Sequence, residues 1–157
     1  MKKYILLIIL ISIGLTGKSQ FDITAEVIQR KMSITIVVED VQKPGFRNIA
    51  KIITEKEGVN GFIDVMSKAM KWGSINKVEK MDIEKLLGIH IFGEIILRFD
   101  FRGKDDGDWG VRIEVLSGKP LSSKEVGTLN ISKVKVKSLL ATFNSYKNVK
   151  TVDEVFN

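Results

Sequence analysis

The chain has 157 residues, no cysteine, one histidine, and 25 basic against 19 acidic residues, for a net charge of +6. The lack of cysteine excludes a disulfide framework, a thiol nucleophile and a thiolate metal site, and a single histidine excludes a multi-histidine zinc centre. The phosphate-cradling patterns G-x-x-x-x-G-K-[ST] and G-x-G-x-x-G are absent, as is the nucleophile elbow G-x-S-x-G.

The N-terminus opens on Met1-Lys2-Lys3, followed by an apolar run from Ile5 to Leu15 interrupted only by Ser12 and Gly14. This run is roughly 11 residues long, short of the about 20 needed for a permanent bilayer span. Gly17 and Ser19 place small residues where a signal peptidase cuts. Residues 1–19 are therefore expected to be a bacterial secretory signal, cleaved near Ser19–Gln20, with the mature chain in the periplasm or outside the cell. Loss of its three lysines lowers the net charge from +6 to +3. No later run is long and uncharged enough to span a membrane, and residues 20–157 are expected to form a single domain.

From Phe21 to Val38, apolar residues alternate with polar ones, which predicts two strands. The connection at Gln29-Arg30-Lys31 lacks a turn residue, so a helix over 22–32 is the alternative. After Pro44, the spacing of Phe46, Ile49, Ile52 and Ile53 predicts a helix that ends at Gly58. Asn60 is the expected N-cap of a second helix with Phe62, Val65, Met66, Ala69 and Met70 inward, stopping at Gly73. A third, shorter helix is expected over 77–87, ending at Gly88.

Residues 89–102 read as one long strand with its odd positions buried, and 109–116 as another. A short strand over 126–131 and a helix over 132–146, with Val136, Leu139, Leu140 and Phe143 inward, complete the chain. The order strands, helices, strands, helix predicts an α+β domain: an antiparallel sheet with helices packed on one face.

The hairpin joining 89–102 to 109–116 is specific enough to predict its register. A three-residue loop, Asp105-Asp106-Gly107, sets Phe101 against Val111, Phe99 against Ile113 and Leu97 against Val115. On the other face the same register opposes Asp100 to Arg112 and Arg98 to Glu114. A two-residue loop would mix buried and exposed faces.

His90 is the lone candidate general base. It is expected on the mixed face of its strand, with Glu94 on that face about 13 Å further along and Ser122 or Ser123 as nucleophiles from elsewhere. Lys104-Asp105-Asp106-Gly107-Asp108 fails as an EF-hand, because Arg102, Lys104 and Ile113 fall at ligand positions. No metal site and no cofactor are expected. Asn130-Ile131-Ser132 matches a glycosylation sequon that carries no meaning in a bacterial protein.

Charge is unevenly distributed. Residues 20–116 are nearly balanced, whereas 117–150 hold seven lysines against Glu125 alone. Lys133, Lys135, Lys137, Lys147 and Lys150 are the expected binding residues, forming a positive face for an anionic envelope component or an acidic protein. Nucleic acid is not expected, since no aromatic residues interleave with these lysines. The leading expectation is an exported, non-enzymatic binding module of the envelope-accessory, inhibitor or immunity type. The alternatives are a small hydrolase-like enzyme using His90 and carboxylates, and a carrier of a small apolar ligand.

Overall fold

The computed structural model describes residues 21–148; the expected leader, its cleavage point and Lys150 lie outside them. The alternating apolar residues of Phe21–Val38 form two antiparallel strands, β1 (Asp22–Ile28) and β2 (Lys31–Asp40), so the helical alternative over 22–32 falls. A third strand, β3 (Arg47–Thr54), runs antiparallel to β2 where a helix was expected. Two of the four residues that suggested a helical face, Ile49 and Ile53, sit on the opposite face of β3 from Asn48, Ala50, Ile52 and Thr54, which are buried. Three isoleucines and a threonine in eight residues favour the pleated surface, and pairing with β2 over eight positions completes the choice.

The second predicted helix, from Asn60 to Gly73, is extended at both ends as α1 (Lys56–Glu79), which runs through Gly58 and Gly73. The inward face is the expected one, with Val59, Phe62, Val65, Met66 and Ala69 buried. The glycines do not stop the helix because they are points of close approach. A Cβ at Gly61 would lie 2.6 Å from the His90 ring, and Gly73 lies against the Trp109 indole. The helix ends at Lys80, which takes a left-handed conformation and donates its N–H to the Asn76 carbonyl at 2.8 Å.

The expected third helix over 77–87 is also absent. Instead β4 (Ile83–Phe92) and β5 (Ile95–Gly103) form a hairpin with Gly93-Glu94 as its two-residue loop, Gly93 having φ +62°. A two-residue loop reverses the parity of the faces. His90 pairs with Leu97 and shares its buried side, while Ile89 and Ile91 turn outward and are 52% and 54% exposed. The single long strand over 89–102, with odd positions buried throughout, is therefore corrected from residue 93 backward.

The described residues close with β6 (Trp109–Ser117), β7 (Lys124–Ser132) and α2 (Lys133–Lys147), the last capped by the Ser132 side chain accepting from the Lys135 N–H. Between β5 and β6, the pairs Phe101 with Val111, Phe99 with Ile113, Leu97 with Val115, Asp100 with Arg112 and Arg98 with Glu114 all form as predicted. The sheet order is β1-β2-β7-β6-β5-β4, with β3 on the other edge of β2. All of its pairings are antiparallel. The helices pack on it and against each other, giving the expected α+β architecture. Phe62 joins the layers, its ring centroid 5.3 Å from that of Phe143 on α2 and 5.9 Å from that of Phe99 on β5. Among the described residues, no helix is long and apolar enough to cross a membrane.

Candidate functional site

The parity reversal at Gly93-Glu94 decides the environment of His90. Its ring is sandwiched between the sheet and α1, 6.2 Å from Phe62 and 5.8 Å from Phe99 between centroids, with Gly61 directly above. The Nε2 atom is buried and has no hydrogen-bond partner among the described residues. Burial pushes the imidazole below its ordinary value, opposed by the Asp64 carboxylate and by the Gly61 backbone. His90 thus lies under a helix and not on the mixed outer face. Glu94 is exposed at the hairpin tip, and no hydrogen bond or ion pair joins it, Ser122 or Ser123 to His90 among the described residues. The expected partners Glu94, Ser122 and Ser123 are therefore not joined to His90, whose imidazole packs against Phe62 and Phe99.

The outer face of the sheet carries acids and bases that neutralise one another. The Arg98 guanidinium lies 3.1 Å from Asp100 and 3.9 Å from Glu114, Arg112 approaches Glu114 and Glu84 at 3.8 and 3.9 Å, and Arg102 reaches Glu84 at 3.0 Å. Asp100 therefore pairs along its own strand, although its backbone faces Arg112. In the β5–β6 loop, Asp106 accepts from the Asp108 N–H at 2.7 Å, and the Asp108 carboxylate is held by Lys133 at 2.8 Å. That lysine lowers the Asp108 carboxyl from its ordinary value, and Lys133 is raised in return. Among the described residues, no three histidine or acidic side chains are grouped to hold a metal ion.

The lysines of α2 divide into two sets. Lys133 is paired with Asp108, and Lys135 with Asp22 at 2.8 Å. Lys137 and Lys147 are exposed and have no carboxylate partner among the described residues. At 3.6 residues per turn, Lys133, Lys137 and Lys147 fall within an arc of about 80° on one side of the helix. Lys135 lies on a different side.

One neighbour of these lysines gave no warning in the sequence. The Tyr146 hydroxyl, near the end of α2, donates to the Arg30 carbonyl at 2.9 Å and so brings the β1–β2 hairpin tip to the helix end. At that tip Gln29 and Arg30 have φ of +47° and +64°, and Val27 and Ile28 are 49% and 43% exposed. Val27 and Ile28, exposed on opposite faces of β1, thus lie within three residues of Arg30, which has no carboxylate partner among the described residues, and the hydrogen bond brings this tip to the end of α2 that carries Lys147. The only hint in the sequence is the run Val27-Ile28-Gln29-Arg30-Lys31, two apolar residues followed by two cations. Compared with known proteins, the chain matches no family model and no curated protein sequence.

Proposed function

We propose that the chain is an exported, non-catalytic binding domain that engages an anionic component of the cell envelope through the β1–β2 hairpin tip and the adjoining face of α2. The observation that carries this reading is the Tyr146–Arg30 hydrogen bond, which brings the tip bearing Val27, Ile28 and Arg30 to the end of α2 that carries Lys147. Cations without a carboxylate partner among the described residues attract an anionic surface, and the exposed valine and isoleucine add apolar contact once it is reached. The surroundings of His90 support the non-catalytic part of the reading.

Sedimentation of the mature protein with vesicles tests it. Vesicles containing anionic phospholipid should bind the wild type in preference to neutral ones, with binding falling as salt rises. Each cation near an anionic surface contributes about 1 kcal/mol, so combined Arg30→Gln, Lys137→Gln and Lys147→Gln substitution should weaken binding roughly a hundredfold. Unchanged binding by the triple variant, or indifference of the wild type to lipid charge, would overturn the assignment. Export is tested by the intact mass of the protein recovered outside the cytoplasm. A mature chain still carrying Lys2 and Lys3 would refute cleavage.

A further inference from the structure

Away from the lysines of α2, the C-terminal half of α1 and the β4–β5 hairpin border an open pocket of about 180 Å³. Its wall combines Trp72 on α1 with Phe101 on β5, packed edge to face with centroids 5.8 Å apart and planes at 88°. Ile75 and Met81 also line it, and each leaves 51% of its surface in water. An apolar concavity bordered by half-exposed apolar side chains is the form small-molecule sites take.

The charges around it have a definite sign. The ammonium groups of Lys68 and Lys85 lie 4.8 and 5.1 Å from the Trp72 ring centroid. Lys68 is also engaged with the Leu87 carbonyl at 3.0 Å. Lys85 lines the pocket and has no carboxylate within ion-pair distance among the described residues. Glu79, the one acid in the lining, would repel a second anion and turn it toward Lys85. Two ammonium groups at the Trp72 ring disfavour a cationic guest there. In size, a cavity of about 150 Å³ accepts a benzene-sized guest, so this one suits a ring or a short acyl chain.

We propose that this pocket binds a small amphipathic carboxylate, with its ring or short acyl chain against Trp72 and Phe101 and its carboxylate on Lys85. This site shares no residue with the cationic surface proposed above, and either can fail without the other.

Titration of the mature protein with octanoate, 1-octanol and octylamine, followed by tryptophan fluorescence and by amide shifts, tests the site. Octanoate should bind saturably, about three- to fivefold more tightly than octanol, the gain expected of a part-exposed ion pair. Octylamine should bind more weakly than either. Lys85→Gln should bring octanoate to the level of octanol and leave octanol unchanged, whereas Ile75→Glu, at a half-exposed position, should weaken both. Lys147→Gln should alter none of these values. The assignment is overturned if octanoate fails to saturate, if Lys85→Gln leaves its affinity unchanged, if octylamine is preferred, or if the amide shifts lie away from Trp72 and Phe101. It is equally overturned if the pocket proves to be a contact between copies, seen as a concentration-dependent dimer dissolved by Ile75→Glu with no saturable octanoate binding.

Discussion

Two hairpins reverse the chain tightly and are stabilised by opposite means. The β5–β6 loop has a glycine, Gly107, at φ +85°, closed by Lys104 N–H to Asp108 carbonyl and Gly107 N–H to Lys104 carbonyl bonds of 2.9 and 3.0 Å. The β1–β2 loop places Gln29 and Arg30 at φ of +47° and +64°, a conformation that costs a residue with a Cβ roughly 1–2 kcal/mol. Seven paired positions between the strands and the Tyr146 hydroxyl on the Arg30 carbonyl hold it there. The first turn is favoured by its own residues and the second is imposed by its surroundings. Strain of this kind persists where the rest of the fold over-determines it, and here it holds Arg30 beside the end of α2.

The β5–β6 hairpin has an anchor of its own, and removing it should have the largest effect. Asn76 is 4% exposed, donates to the Lys104 and Asp108 carbonyls at 3.0 and 3.3 Å, and accepts from the Met81 N–H at 3.2 Å. Asn76→Ala removes all three bonds; each carbonyl keeps one backbone donor, but the Met81 N–H loses its acceptor, and stability should fall by about 2 kcal/mol, read by denaturant unfolding. The turn residues themselves come next and should respond with opposite signs. Gly107→Ala should destabilise by about 1–2 kcal/mol. Arg30→Gly should stabilise by a few tenths of a kcal/mol, because the strain it relieves exceeds the added freedom of the unfolded chain. Destabilisation by Arg30→Gly would show that the β1–β2 turn is not strained.

The same contrast explains what was legible. The β5–β6 register followed from the loop glycine and the alternation of Leu97, Phe99 and Phe101, because each local preference agreed with the tertiary pairing. The β1–β2 turn carried no signal, since nothing near Arg30 announces a tyrosine 116 residues further on. Strand β3 was hidden because its isoleucines also suit a helical period, and only β2 decides between the two. Gly93-Glu94 was missed because apolar residues continue through it on both sides, and that omission put His90 on the wrong face. For the sites, α2 and its lysines were readable from helical spacing. Their partners Asp108 and Asp22, the placement of Arg30 at the end of α2 and the Trp72 pocket depend on contacts between distant segments, which spacing does not encode.

The smallest effects should come from titrating the two hairpins' side-chain contacts, and they differ at the acid end of the scale. Tyr146 is first isolated by Tyr146→Phe, which should cost about 1 kcal/mol at neutral pH through the lost bond to Arg30. Burial raises the Tyr146 phenol above its ordinary 10.0, so the native state holds this proton more firmly than the unfolded chain does. Stability from this group is therefore fully present below pH 10 and is lost as pH rises through the higher native value. The Asp108 carboxyl is shifted the other way, below its ordinary 3.8, by its hydrogen bond with Lys133. Its contribution is present above pH 3.8 and is lost as pH falls through the lower native value. Both groups of that pair are exposed, so the acid effect should be slight and should shrink with salt. Stability curves against pH should thus show an alkaline loss that is reduced in Tyr146→Phe and an acid loss that is reduced in Asp108→Asn. An alkaline limb identical in wild type and Tyr146→Phe would mean that the phenol does not hold the β1–β2 turn.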